Sequence, residues 1–239
     1  MTDLSDINSV LLKTRVLVLV GGYGAGKTQV SISLAIEKAR VGTRLALVDL
    51  DLINPYFRSR EVADLLEAQG ILVIRPKGDL AYAENPSLNP EIEGVLRDKS
   101  CHVVLDVGGD PAGATILGRY RPLLTADDVL VVHVVNIFRP FSSSVSEIIA
   151  LNNQLEEKSR LKVQGFLNNS NLHDWTTKED WQRGQEVVRG LAEKTNLPVI
   201  ATSMNPDWAK KVGLDWNPTW IPIGKYLGLG WKSKSSPLD

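Results

Sequence analysis

Val16-Leu17-Val18-Leu19-Val20-Gly21-Gly22-Tyr23-Gly24-Ala25-Gly26-Lys27-Thr28 is the stretch from which the fold is read. Five consecutive apolar residues predict a buried strand. The glycines predict a turn, and the residues from Lys27 onward a helix. Gly21, Gly26, Lys27 and Thr28 satisfy G-x-x-x-x-G-K-[ST], the phosphate-binding loop. Glycines let such a loop wrap a phosphate chain with successive backbone N–H groups pointing inward. The helix that follows turns its N-terminal amides and the positive end of its dipole to the same anion. On this reading Gly22, Tyr23, Gly24, Ala25, Gly26, Lys27, Thr28 and Gln29 bind a nucleoside triphosphate. Lys27 reaches the β- and γ-phosphates, and the Thr28 hydroxyl sits on Mg²⁺.

Outward from this stretch, apolar runs at 15–20, 45–48, 71–74, 102–105, 129–135, 163–167 and 197–201 read as strands. Helical patterns separate them at 27–40, 59–69, 91–98, 112–124, 142–155 and 179–195. Strands that are continuously apolar and alternate with helices predict a parallel sheet covered on both faces. The expected architecture is therefore α/β: a three-layer P-loop NTPase with a mostly parallel sheet of about seven strands. No repeat or low-complexity linker divides residues 1–239, so one nucleotide-binding domain is expected, with a Trp- and Pro-rich extension at about 205–239. All six tryptophans lie between Trp175 and Trp231. The extension reads as a strap packed over the sheet or as a docking surface for a partner.

The composition narrows the function classes. The chain is 43% hydrophobic and carries a net charge of −1, so it has no global attraction to nucleic acid or anionic membrane. A single cysteine, Cys101, and three dispersed histidines offer no multi-Cys metal site. The N-terminus lacks a basic n-region, and the apolar run 16–20 is too short to span a bilayer. A cytoplasmic protein without a membrane segment is expected.

In doubly covered parallel sheets, ligands bind beyond the C-terminal ends of the strands. Asp106 ends the fourth apolar run and is the acid expected near Mg²⁺. Asp106-Val107-Gly108-Gly109 also fits D-x-x-G, whose glycine amide can sense a γ-phosphate. Asp49 and Asp51 follow the second run, where two carboxylates can hold a metal-bound water and orient the attacking water. The segment 77–90, with Arg75, Lys77, Asp79 and Tyr82, could line an acceptor pocket. Tyr56-Phe57, Phe138, Arg139 and Phe141 are loop residues that could meet a partner.

Taken together, the loop, the Asp49-Leu50-Asp51 strand end and the Asp106 strand resemble the ParA/MinD-type P-loop ATPases. These belong to the class that also includes signal-recognition GTPases and metal-insertion accessory ATPases. The resemblance spans about residues 15–206. In that family a second lysine near the start of the loop reaches across an ATP-sandwich dimer; Gly22 stands there in this chain. The resemblance implies that Lys27 and Thr28 bind phosphate and Mg²⁺, that Asp51 positions or activates water, and that Asp49 and Asp106 hold the metal shell. It also implies that Asn168, at the end of the 163–167 strand, contacts adenine. The Asn-Lys-x-Asp guanine signature is absent, which favours ATP over GTP. The implied function is a slow Mg²⁺-dependent ATPase switch that can form a homodimer and is read by an unidentified protein partner. The alternatives are a P-loop kinase or ATP-dependent synthetase on a small molecule, and a nucleotide-bound scaffold that does not hydrolyse.

Overall fold

In the computed structural model, residues 7–51, 60–75, 89–109, 111, 113–217 and 219–224 are described. The strand β1 (Val16–Val20) is buried throughout and occupies the middle of the sheet. It pairs in parallel with β4 (His102–Val107) on one side and β5 (Val129–Val135) on the other. Beyond β4 lie β2 (Leu45–Leu50) and β3 (Ile71–Ile74). Beyond β5 lie β6 (Gly165–Asn168), β7 (Val199–Met204) and β8 (Trp220–Pro222). The order is β3-β2-β4-β1-β5-β6-β7-β8, and every pairing is parallel. The seven expected strands are all present, and β8 is an addition. It takes part of the Trp/Pro-rich extension into the sheet at an edge, where a proline such as Pro222 is tolerated.

Alternation along the strands divides the core in two. Leu17 and Leu19 pack with Leu11 of α1 (Ile7–Lys13), Val30, Ile32 and Leu34 of α2 (Lys27–Arg40), and Leu66 of α3 (Arg60–Ala68). Val16, Val18 and Val20 pack on the opposite face. There they meet Ile92 of α4 (Pro90–Arg97), Leu117 of α5 (Leu117–Tyr120), Ile148 of α6 (Val145–Ser159) and Leu191 of α7 (Lys178–Thr195). The helix expected at 112–124 is broken into a 3-10 turn (Gly113–Ile116), α5 and a second 3-10 turn (Arg121–Leu123). Pro122 accounts for the second break, because it supplies no N–H and its ring crowds the preceding turn. Helix α6 starts later than expected because Ser144 caps it, in a box with Glu147. The short α8 (Pro206–Lys211) follows β7. None of the described helices is long and apolar enough to cross a membrane.

At the end of the sheet opposite the loop, Lys38 is fully buried. Its ammonium donates to the carbonyls of Leu12 (2.8 Å) and Thr14 (2.7 Å) and lies 3.3 Å from His102 Nδ1. Burial lowers its pKa to about 8. This side chain ties α1 to α2, and its loss orphans two carbonyls. Lys38→Met is expected to cost about 2–3 kcal/mol, as charged hydrogen bonds do. The urea midpoint should fall at constant slope; an unchanged midpoint would show that Lys38 does not hold α1. Tyr56, Phe57, Arg58, Lys77, Asp79, Tyr82 and Trp231 lie outside the described residues, and so does most of the segment 77–90.

Candidate functional site

The loop from Gly21 to Gly26 connects β1 to α2, and Gly26 occupies the position preceding the helix with φ 87° and ψ 22°. That left-handed conformation favours glycine. A Cβ on Gly26 would also stand 2.2 Å from Asn169 Nδ2. No side chain caps α2, so its first-turn N–H groups are available to an anion. Lys27 is buried, and its Nζ donates to the carbonyls of Gly21 and Gly22, each at 3.1 Å. The loop after β4 closes from above: a Cβ on Gly109 would lie 2.8 Å from Tyr23 Cα and 3.3 Å from Lys27 Nζ. The glycine of the D-x-x-G pattern therefore touches both the phosphate loop and its lysine.

Strands β2 and β4 are neighbours, and their register places Asp49 opposite Asp106. Both carboxyls are buried. Asp49 Oδ1 accepts from the Asp51 N–H at 2.9 Å, whereas Asp49 Oδ2 and Asp106 Oδ1 are buried without a hydrogen-bond partner. Burial, and then the charge of Asp106, push Asp49 up to about 8, with Arg75 pulling the other way. Burial pushes Asp106 up to about 6, against the Thr28 hydroxyl bonded to it and the nearby Lys27 charge. The Asp51 carboxylate lies against Gly108. Two bare carboxylate oxygens beside a threonine hydroxyl suit a hard cation. Among the described residues no group of three or more His, Cys, Asp or Glu forms a cage by itself. Mg²⁺ needs none, since it keeps several waters and takes phosphate oxygens. Thr28, Asp49 and Asp106 thus stand together, with Asp51 at their rim.

The structure separates the Asn168-Asn169 pair. Asn168 is buried; its Oδ1 accepts from Ser170 N at 3.0 Å, and its Nδ2 lies near Gly184 of α7. Asn169 faces the loop instead. Its Nδ2 donates to Ala25 O at 2.7 Å, and its Oδ1 accepts from Ser203 Oγ and from Asn171 Nδ2. Leu167 packs on the α2 face, so alternation carries Asn169 to that face and Asn168 to the other. The doublet was the available signal, but choosing between its members requires knowing which face carries α2.

Three further residues position the loop. His133, paired in register with Val20, is buried beneath Gly21, and its Nδ1 is 3.0 Å from Asn152 Oδ1. Burial lowers its pKa to about 4, so it is neutral. Arg139 Nε donates to Gly24 O at 2.9 Å. Gln29 Nε2 donates to Gly224 O, tying the chain after β8 to the first turn of α2. Phe138 packs against the core, whereas Phe141 is 77% exposed and Tyr23 63%. At Gly22 a Cβ would meet Leu151 Cδ2 at 3.2 Å and Ser142 Oγ at 3.7 Å, so a longer side chain would leave through a crowded space.

Gly26→Ala is expected to force the left-handed position and displace Asn169, costing about 1–3 kcal/mol. Nucleotide affinity should fall at least roughly tenfold as the loop shifts. A melt combined with a fluorescent-nucleotide titration reads both effects; wild-type values in both would mean that the loop tolerates a Cβ there.

No family model and no curated protein matches the chain. Solved structures do. The signal recognition particle receptor FtsY from Elizabethkingia anophelis is 16% identical, with 94% of this chain and 69% of that one covered, and a TM-score of 0.54. FtsY from Mycoplasma mycoides is 15% identical over 79% of this chain and 59% of that one, with a TM-score of 0.51. FlhF complexed with GTP/Mg²⁺ is 15% identical over 78% and 64%, with a TM-score of 0.50. The chain thus covers less than two thirds of the length of the last two. At these identities the likeness is one of fold, and the fold is that of the P-loop NTPases: a single parallel eight-stranded sheet flanked by helices.

Proposed function

We propose that this protein is a Mg²⁺-dependent purine nucleoside triphosphatase of ParA/MinD-like type that works as a slow switch, with ATP favoured over GTP. The observation that carries the reading is the bare carboxylate pair Asp49–Asp106, set in register beside a glycine-started, uncapped helix that bears Lys27 and Thr28. Lys27 and the first-turn amides of α2 hold phosphate. Thr28, Asp49 and Asp106 would hold Mg²⁺, which when bound neutralises phosphate charge. Asp51 orients the attacking water. Asn169, which touches the loop, carries the base side rather than Asn168. The loop Gly108-Gly109 rests on Tyr23, Lys27 and Asp51. A γ-phosphate placed there would move this loop, and a partner or a second copy would read the movement. Tyr23 and Phe141 provide exposed aromatic contacts at that rim.

FlhF has been solved with GTP/Mg²⁺, so the test carries both nucleotides. Binding of ATP, GTP, ADP and GDP is measured with and without Mg²⁺, while phosphate release and light-scattering mass are followed. Mg²⁺-dependent ATP binding, slow release and a mass change specific to ATP are expected. Asp51→Asn should retain ATP and lose release. Turnover only with an added small-molecule acceptor would select a kinase, and tight binding without turnover a scaffold.

A further inference from the structure

The loops that leave β5 and β6 are joined into one piece over the C-terminal ends of the strands. Buried Asn136, just after β5, donates from Nδ2 to Asn171 O at 3.1 Å, and the Ile137 N–H donates to Ser170 Oγ at 3.3 Å. The backbone of Arg139 is fixed on both sides. Its N–H donates to Asn136 O at 3.1 Å, and its carbonyl accepts from Ser142 N at 3.2 Å. This piece grips the phosphate loop at two successive carbonyls, with Arg139 Nε on Gly24 O (2.9 Å) and Asn169 Nδ2 on Ala25 O (2.7 Å).

Bracing the loop uses one of the five N–H donors of Arg139. Its Nη groups make no hydrogen bond or ion pair with a described residue, although the residue is half-buried. The side chain lies along Gly24. A Cβ there would stand 3.3 Å from Arg139 Cδ, 3.4 Å from Nε and 3.8 Å from Cζ, and the φ of 71° also favours glycine. The bond from Nε to a carbonyl sets the plane of the guanidinium. A planar, weakly hydrated cation of this kind stacks on π-faces.

The order of the strands says which part of a ligand meets that plane. Asp49 and Asp106 lie on β2 and β4, on one side of β1, whereas Arg139 and Asn169 follow β5 and β6 on the other. Neighbouring strands are about 4.8 Å apart, so the ends of β4 and β6, three spacings apart, are separated by about 14 Å. A triphosphate held by the loop with its γ-phosphate on the acid side carries its nucleoside toward β5 and β6. Resting on the nucleotide reading above, we propose that the Arg139 guanidinium is the platform on which the purine base stacks. Stacking reads no base edge, so Arg139 supports ATP and GTP alike and leaves any choice between them to other groups.

The test compares a ligand with a nucleoside against one without. ATP, GTP and inorganic tripolyphosphate are titrated with Mg²⁺ into wild type, Arg139→Ala and Arg139→Lys by calorimetry, with melting as the control for folding. Tripolyphosphate reads the share of Arg139 in bracing the loop, and the ratio of ATP to tripolyphosphate affinity reads the share of the base. In Arg139→Ala that ratio should fall by about 5–50-fold, as loss of one stacking partner does, and the ratio for GTP should fall with it. Arg139→Lys keeps the charge and a donor for Gly24 O but has no plane. It should recover tripolyphosphate affinity while its ratio stays near that of Arg139→Ala. An unchanged ratio in Arg139→Ala, whether both affinities fall or neither does, would overturn the proposal and leave the nucleotide reading standing. A ratio restored by Arg139→Lys would overturn it too, since charge alone would then suffice. Wild-type protein that binds neither ATP nor tripolyphosphate would overturn both.

Discussion

Lys27→Ala should bind nucleoside triphosphate at least roughly a hundredfold more weakly than the wild type. A unit charge about 4 Å from a phosphate contributes on the order of 4 kcal/mol at an effective dielectric of 20, and salt and water reduce but do not remove that. Lys27 is buried inside the loop, and its Nζ is fixed by the carbonyls of Gly21 and Gly22, so the charge is already in place before a ligand arrives. The variant should also move Asp106. The Lys27 charge now lowers the pKa of that carboxyl, so its removal lets burial act with less opposition. Weaker Mg²⁺ binding at neutral pH should accompany the weaker nucleotide binding. A titration with a fluorescent triphosphate at low ionic strength decides the matter. Affinity within about threefold of wild type would mean that the loop is not a phosphate site.

The parts of this molecule written locally were legible from the chain. A five-residue apolar run, three closely spaced glycines and Gly26-Lys27-Thr28 specify strand, loop and helix within one window. Buried parallel strands are continuous apolar runs, so seven of the eight could be read. Trp220-Ile221-Pro222 could not, because three residues carry no period and a proline argues against a strand. Edge position resolves that conflict, and edge position is a property of the whole sheet. The Asp49–Asp106 pairing is similar. Each acid could be read as a strand end, but their adjacency follows from the order β2-β4-β1, which joins residues 57 positions apart (106 − 49). That Asn169 and not Asn168 contacts the loop follows in the same way from which face carries α2, and that is not written in the residues around it.

Stability of the protein free of nucleotide and metal should fall as the pH rises from about 6.5 to 8, and Asp49→Asn should flatten that fall. The sign follows from the direction of the shift. The native pKa of Asp49 is raised from 3.8 to about 8, and that of Asp106 to about 6. Between the unfolded and native values, the native state holds protons that the unfolded state has released. Stability then declines with pH and bottoms out above the native value. His133 has the opposite slope: its native pKa is lowered from 6.5 to about 4, so it removes stability as the pH falls below about 6.5. Lys38, lowered from 10.5 to about 8, adds stability only as the pH rises beyond about 8. The window between 6.5 and 8 therefore belongs mainly to the acidic pair, which titrates as a unit because the two groups repel. Asp49→Asn removes one charge from that pair without changing its volume. At pH 8 a gain of about 1–3 kcal/mol is expected, or roughly 3–10 °C in melting temperature for a chain of this size. The same variant should lose the Mg²⁺ dependence of triphosphate binding, because a carboxylate oxygen without a protein partner is the one that a cation would take. A variant that melts at the wild-type temperature across this window, with Mg²⁺ dependence intact, would show that Asp49 carries neither the strain nor the metal. If Mg²⁺ with a triphosphate binds at this pair, it should recover the lost stability in proportion to its binding.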